Sequence, residues 1–333
     1  MGEMGKADTH VHTEYSGVAR LGLMKFPESV STPAQQVDCA RKNGMDVLCI
    51  TDHDEIVGAF KAQEYAKKFD DIEVVIGEEI TTTDGEIIGL FLNERVPEGL
   101  SAEETIDIVR SQGGLTIAPH PFSFHVAGLQ EKIFSLDIDG FEVMNGGHVD
   151  SYSNNFAKSV MEKYPKRWAP ISGSDAHSVY TTGYNWTEFE GNTAEDFRKS
   201  VLNKKTIAVG NPAPVFCELQ WSMEVIWGGQ KMMYRSISHR LPDDSEKPLV
   251  TKINSLSKLK KATGIVCGFI YVIPPVCFLA TWLSTSVLNF GAKRMEKGMQ
   301  ERLDDVERLL IGAPLITENA IARPSKERSD SFN

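Results

Sequence analysis

Short apolar runs alternate with helix-patterned segments about seven times between residues 4 and 210, and most of those runs end on a histidine, aspartate or glutamate. Such alternation predicts parallel strands covered by helices, in a barrel or an open sheet, with the strand C-termini sharing one face. The clearest buried runs are 47–51, 74–76, 115–118, 140–143, 169–172 and 206–209. Between them, 33–43 has helical spacing, with Thr32 as N-cap and Gly44 as stop. A second helix over 101–112 opens on the capping box Ser101-Ala102-Glu103-Glu104, and 56–69, 151–163 and 193–202 also read as helices. The turn pair Asp84-Gly85 separates two strand-like stretches, 80–82 and 87–92, and predicts a hairpin that interrupts the alternation. Residues 13–32 read as a polar, glycine-containing loop.

The strand ends carry the chemistry. His10 and His12 lie two residues apart on an opening strand-like run beside Asp8, so their side chains point the same way. His53, Glu79, His120, Asp175 and His177 each follow a later run. Seven nitrogen and oxygen donors on one face exceed the four protein groups of a structural zinc, which predicts two or three divalent ions sharing a cluster. Imidazoles and carboxylates without cysteine suit Mn, Zn or Fe at a hydrolytic site. A carboxylate bridging two ions allows them to polarise one phosphoryl oxygen and activate a water as nucleophile.

Composition limits the partners. The 333 residues, 41% hydrophobic, suffice for one large domain or two ordinary ones. A formal net charge of −11 argues against a broad surface for long duplex nucleic acid, but not against a small anionic substrate held by metals. Cys39, Cys49, Cys217, Cys267 and Cys277 form no C-x-x-C pair, which predicts reduced thiols in a cytosolic compartment. The opening residues lack the apolar core of a secretory signal.

The pattern changes after residue 228. A polar and basic stretch, 229–262, reads as a linker behind a first domain of residues 1–228. Residues 263–290 then contain no charge, and their 28 positions exceed the roughly 20 that a helix needs to cross a bilayer. Pro274-Pro275 falls near the middle, so the segment reads either as a kinked span or as a re-entrant hairpin. Lys258, Lys260 and Lys261 precede it and Lys293, Arg294 and Lys297 follow it, a symmetry that favours the hairpin. Residues 291–333 read as an amphipathic segment and then a disordered tail.

Five ordered motifs, Asp8-Thr9-His10-Val11-His12, Thr51-Asp52-His53-Asp54, Gly77-Glu78-Glu79-Ile80, Pro119-His120-Pro121-Phe122 and Gly173-Ser174-Asp175-Ala176-His177, resemble the PHP family, the polymerase and histidinol phosphatase superfamily of metal-dependent phosphoesterases. The resemblance spans roughly residues 4–210. It implies a distorted (β/α)7 barrel of the PHP type, two or three metals at the strand C-termini and hydrolysis of a phosphate ester. It also implies that Glu79, not Glu78, bridges the metals. Many relatives place an aspartate ligand soon after the His-x-His, where this chain has Tyr15-Ser16-Gly17, with Glu14 the nearest substitute. Asn145 stands near another family ligand position.

His125 and His148 follow strands on the expected active face, where either could protonate a leaving alkoxide. Arg20, Lys25 and Arg41 are candidate phosphate contacts, a guanidinium being able to grip phosphate bidentately. The expected function is that of a membrane-tethered, metal-dependent phosphoesterase acting on a small phosphate monoester, a nucleotide among the candidates. Its barrel would lie in the cytoplasm, at the face of the cell membrane, with 263–290 in the bilayer. The competing readings are a phosphodiesterase or exonuclease on short nucleic acids, and a membrane-bound scaffold with weakened catalysis.

Overall fold

The computed structural model describes residues 4–21, 24–148, 150, 152–244 and 246–310. Strand β1 (Met4–Val11) leads through the hairpin β2 (Val18–Leu21) and β3 (Met24–Pro27) to helix α1 (Pro33–Lys42). Then come β4 (Val47–Ile50), α2 (Val57–Ala66), β5 (Glu73–Thr81), β6 (Glu86–Leu90), α3 (Ala102–Ser111) and β7 (Leu115–Ala118). A short 3-10 turn (Gln130–Phe134) precedes β8 (Gly140–Asn145), α4 (Ser153–Lys163), β9 (Ala169–Gly173), β10 (Trp186–Glu190), α5 (Ala194–Leu202) and β11 (Ile207–Val209). Capping boxes start α1 at Thr32 with Gln35 and α3 at Ser101 with Glu104, so local sequence fixes where both helices begin.

A single nine-stranded sheet runs β11-β10-β1-β4-β5-β6-β7-β8-β9. The pairs β1/β4, β4/β5, β7/β8 and β8/β9 are parallel, as the alternation demands. The Asp84-Gly85 turn makes β6 antiparallel to both β5 and β7, and β10 and β11 add antiparallel strands beside β1. The sheet curls until its far end meets β1: Val11 bridges Ala176, and His12 N donates to Ala176 O at 2.9 Å. Side chains finish the seam, with Thr9 Oγ1 and Thr187 Oγ1 both donating to Ser172 O at 3.2 and 3.0 Å. The result is a nearly closed, mixed barrel in place of seven uniform βα units. Alternate residues of β4 divide between two cores, Leu48 and Ile50 packing with Val37 and Ala59 of the covering helices, and Val47 and Cys49 with Ile88 and Phe197.

The C-terminal third departs from the sequence expectation. Helix α6 (Val215–Ile237) runs through residue 228, so no boundary falls there. The stretch read as a linker holds the end of α6, all of α7 (Pro248–Ser255) and the start of α8 (Lys258–Tyr271), whose basic residues sit on packed helices. The proline pair does break the apolar run: α8 stops at Tyr271 and α9 (Pro274–Leu310) begins on Pro274. Helix α8 lies on α6, where Gln230 Nε2 donates to Ile265 O at 2.8 Å and Tyr271 Oη to Ser222 Oγ at 3.1 Å. The later part of α9 returns to the barrel, with Ala292, Met299 and Leu303 joining the core of Phe134 and Trp168, and Arg302 Nε 3.2 Å from Glu131 Oε1. Its first part exposes Phe278, Leu279, Trp282, Leu283, Val287 and Phe290. Residues 311–333, expected to be a tail, lie outside the described residues.

Candidate metal centre

All seven strand-end donors converge at one end of the barrel. Glu79, on β5 and buried, turns its two oxygens to four imidazoles. Its Oε2 lies 3.1 Å from His10 Nε2 and 3.3 Å from both His12 Nε2 and His53 Nε2, while Oε1 lies 2.9 Å from His120 Nε2. Asp175 Oδ1 approaches His10 Nε2 at 3.5 Å and both His12 Nε2 and His177 Nδ1 at 3.4 Å. Glu78, its neighbour, faces the other way and accepts Val96 N at 2.8 Å. His120 and Asp175 have φ of 28° and 51°, so two donors are held on strained, left-handed backbone at strand ends.

Outer partners fix the imidazoles. Glu142 Oε1 holds His10 Nδ1 at 3.0 Å, while its Oε2 accepts His120 N and Asn145 Nδ2, each at 2.8 Å. Ser16 Oγ sits 2.8 Å from His12 Nδ1 and donates to Asp52 Oδ1 at 3.0 Å. Metal-binding histidines characteristically have such a second contact on the far nitrogen. Asn145 Nδ2 also donates to Asp175 Oδ2 at 3.1 Å. Asp8, beside the first histidine, is no ligand: it accepts Ser174 N and Gly183 N at 2.9 and 2.7 Å, tying the Asp175 loop to β1. Gly173 beneath this loop is needed for its size, since a Cβ there would meet His10 Cβ at 2.5 Å and Glu142 Oε1 at 2.7 Å.

The electrostatics follow from carboxylates and imidazoles buried together. Burial pushes Glu79 upward, but His53 and His10 outweigh it and hold the carboxyl well below its usual range. Asp175 is held well below its own for the same reason, burial being outweighed chiefly by His10 and a hydrogen bond from His12. His53 and His120 rise to about 8 and about 9, burial being overcome by Glu28 and Glu79 for the first and by Glu79 for the second. Protons on these imidazoles stand where cations would. His10 Nε2 and His12 Nε2 lie only 3.0 Å apart, with both facing Glu79 Oε2. One N–H can serve that gap, whereas a cation sharing all three atoms satisfies every lone pair. The donors fall into close sets, His10/His12/Asp175, His10/Glu79/His120, His12/His53/His177 and His53/Glu79/Glu86. Their chemistry fits several divalent ions bridged by Glu79.

Four acids here escaped the sequence reading. Glu28, just after β3, puts Oε1 3.5 Å from His53 Nε2 and 3.7 Å from His177 Nε2. Glu14 takes no such role, because its Oε1 is paired with Lys247 Nζ at 2.6 Å. Glu86 Oε2 lies 3.7 Å from His120 Nε2, and burial followed by the charge of Glu79 pushes it up to about 7. Glu142 had a readable signal, a lone acid inside an apolar strand. Glu218, on α6, is pushed up to about 7 by burial, and the next turn of that helix brings Trp221 to a ring distance of 6.0 Å from His177. Trp221 Nε1 donates to Glu28 O at 2.8 Å, so α6 roofs the His53/His177 side.

Two of the remaining candidates adjoin the Glu79 cluster. His125 and His148 stand together beside Asp150, the His148 ring 5.9 Å from that of His120, and burial pushes both downward. Arg41 pairs with Asp71 at 2.7 Å and stacks on Phe69, away from the centre. Arg20 and Lys25 pair across the β2/β3 hairpin, their side chains outside the described residues.

The sequence matches the PHP domain family over residues 8–124 and the PHP-associated family over 151–206. It is 50% identical over 163 residues to the uncharacterized protein MJ1587 of Methanocaldococcus jannaschii, covering 49% of this chain and 95% of that one. A second uncharacterized protein of that organism, MJ0417, is 33% identical over 196 residues, which are 55% of this chain and 70% of its own. The crystal structure of PsfC from Pseudomonas syringae aligns with a TM-score of 0.47 at 17% identity, covering 63% of this chain and 92% of that one.

Proposed function

The chain belongs to the PHP-domain family of metal-dependent phosphoesterases, and from that premise we propose that it hydrolyses a small phosphate monoester, a nucleotide among the candidates, at a membrane surface. The observation that carries this reading is Glu79, whose two oxygens each meet imidazoles from different strands. His10, His12, His53, Glu79, His120, Asp175 and His177, with Glu28 and Glu86 beside them, would hold two or three divalent ions, Mn, Zn or Fe. When bound, such ions supply the Lewis acidity that polarises a phosphoryl oxygen and acidifies a water. The chain's own contribution is positional. Glu142 and Ser16 lock the His10 and His12 rings, and Asp8 clamps the loop that presents Asp175 and His177. Among the described residues the centre opens along His53, His177, Asp175, Glu28 and Glu86, whose side chains are 22%, 22%, 16%, 18% and 14% exposed, while those of His10, His12 and Glu79 are at most 1% exposed. With Trp221 over that opening, a compact phosphate ester suits it better than a polymer.

Membrane attachment rests on the exposed apolar surface at the meeting of α8 and α9. Both ends of this segment are held to the barrel: Lys247, just before α7, pairs with Glu14 at 2.6 Å, and Met299 and Leu303 of α9 are in the barrel's core. A helix crossing the bilayer once would separate those ends, so we favour a hairpin dipping in from one side. The 14 residues of α8 span about 21 Å, less than the ~30 Å hydrocarbon core. Lys258, Lys260, Lys293, Arg294 and Lys297 near its base suit anionic headgroups of the cytoplasmic leaflet.

The test is a screen of the purified full chain, with Mn added, against nucleoside monophosphates, sugar phosphates, an aryl phosphate and a labelled oligonucleotide. Phosphate release from a small ester, abolished in His10→Ala, is expected. Shortening of the oligonucleotide alone would replace the reading with a nuclease, and no turnover would leave a binding protein. Flotation with anionic vesicles, lost in Phe278→Asp/Trp282→Asp, tests the attachment; a chain that stays at the bottom of the gradient contradicts it.

A further inference from the structure

We infer that His125, His148 and Asp150 form a separate binding site for a borderline divalent cation such as zinc, next to the Glu79 cluster but sharing no ligand with it. His125 comes from the loop after β7, and His148 and Asp150 from the connection between β8 and α4. His125 Nδ1 lies 3.5 Å from Asp150 Oδ2, His148 Nδ1 lies 3.8 Å from the same oxygen, and one donor from each residue falls within 4.8 Å of the others. Bonds of about 2.1 Å to a tetrahedral ion put its ligands about 3.4 Å apart, so two imidazoles and one carboxylate already stand near the edges of such a polyhedron.

Hydrogen bonding within the protein leaves this group incomplete. His148 and Asp150 are 3% and 1% exposed, and His125 Nδ1, the buried nitrogen that faces Asp150 Oδ2, has no hydrogen-bond partner. A buried nitrogen left so is destabilising unless something binds it. Asp150 is held in place independently: Oδ1 accepts Tyr152 N at 2.8 Å and Ser153 N at 2.7 Å, and Oδ2 accepts Ser153 Oγ at 2.9 Å. That contact leaves Oδ2 a lone pair on the side of the histidines. Capping the chain before α4 accounts for the aspartate but not for one buried and one half-buried imidazole facing it. Three protein donors leave a fourth position open, as in sites that accept a water or ligand oxygen.

The experiment uses the full chain, stripped with chelator and given zinc in measured equivalents. Zinc bound per chain is expected to fall by one in His125→Ala and in His148→Gln, and by no more in the double variant. Unchanged stoichiometry in both, or loss of all zinc in either folded variant, overturns the inference. Anomalous scattering at the zinc edge from crystals of the unsubstituted chain, grown with stoichiometric zinc, needs no variant. A peak between His125, His148 and Asp150 is expected, and its absence while the Glu79 cluster is filled overturns the site.

Discussion

Glu28 Oε1 lies 3.5 Å from His53 Nε2, although 25 positions, with α1 and β4 among them, separate the two in the chain. The hairpin β2/β3 carries this acid back to the centre, where it also stands 3.7 Å from His177 Nε2. An acid at that corner supplies a carboxylate that the Tyr15-Ser16-Gly17 loop does not.

Glu28→Gln is therefore expected to weaken one cation, the one nearest His53 and His177, by about 10-fold to 100-fold, while the ions nearest Glu79 and Asp175 stay bound. Metal content after dialysis against low, buffered zinc reads this out. An unchanged content would remove Glu28 from the centre.

Proton and metal compete for the same imidazoles. His53 and His120 have pKa values of about 8 and about 9 in the metal-free fold, above the 6.5 of the unfolded chain. Their contribution to stability is complete below pH 6.5 and is lost as pH rises through 8 and 9. The stripped chain should thus lose about 2 kcal/mol or more between pH 6.5 and 9.5, and the metal-loaded chain much less. Thermal melts at both pH values, with and without chelator, check the difference.

Glu78 and Glu79 are adjacent on β5 and behave in opposite ways. Burial raises Glu78 to about 8, with Arg95 Nε 3.8 Å away as its nearest cation. An acid whose folded pKa exceeds its unfolded 4.5 destabilises the fold increasingly as pH rises through that interval. Glu78→Gln, which keeps an acceptor for Val96 N, should raise the melting temperature by several degrees at pH 8.5 and change it little at pH 4.5. Equal shifts at both pH values would contradict the assignment.

Gly173→Ala puts a methyl group against His10 Cβ and Glu142 Oε1. A cost of about 2 kcal/mol and weakened metal binding are expected, because the clash falls on the group that orients His10. Denaturant melts and metal content test the two effects separately.

How much of this could be read in the sequence depends on how local the cause is. Capping boxes, the Asp84-Gly85 turn and the apolar run at β4 act within a few residues, so α1, α3, β4 and the β5/β6 hairpin stand where their residues place them. His10, His12, His53, Glu79, His120, Asp175 and His177 stand in or just after the last residues of buried strands, and that shared position groups them in the sequence. Glu28 and Glu218 reach the centre from a hairpin and a helix whose docking depends on the whole barrel, and no spacing announces that. The 229–262 stretch reads as a linker because its charges are frequent. The fold turns most of them outward along α6, α7 and the start of α8, while Leu249, Val250, Ile253 and the side chain of Lys261 are buried.

The central claim is that Glu79 bridges metals that do phosphoester chemistry. Its most direct test is the rate of phosphate release from the best small ester found, measured on chelator-stripped chain, on the same chain reloaded with Mn, and on reloaded Glu79→Gln. Activity only in the reloaded unsubstituted chain is expected, with Glu79→Gln down by about 1,000-fold or more. Equal rates with and without metal, or a fully active Glu79→Gln, would contradict it.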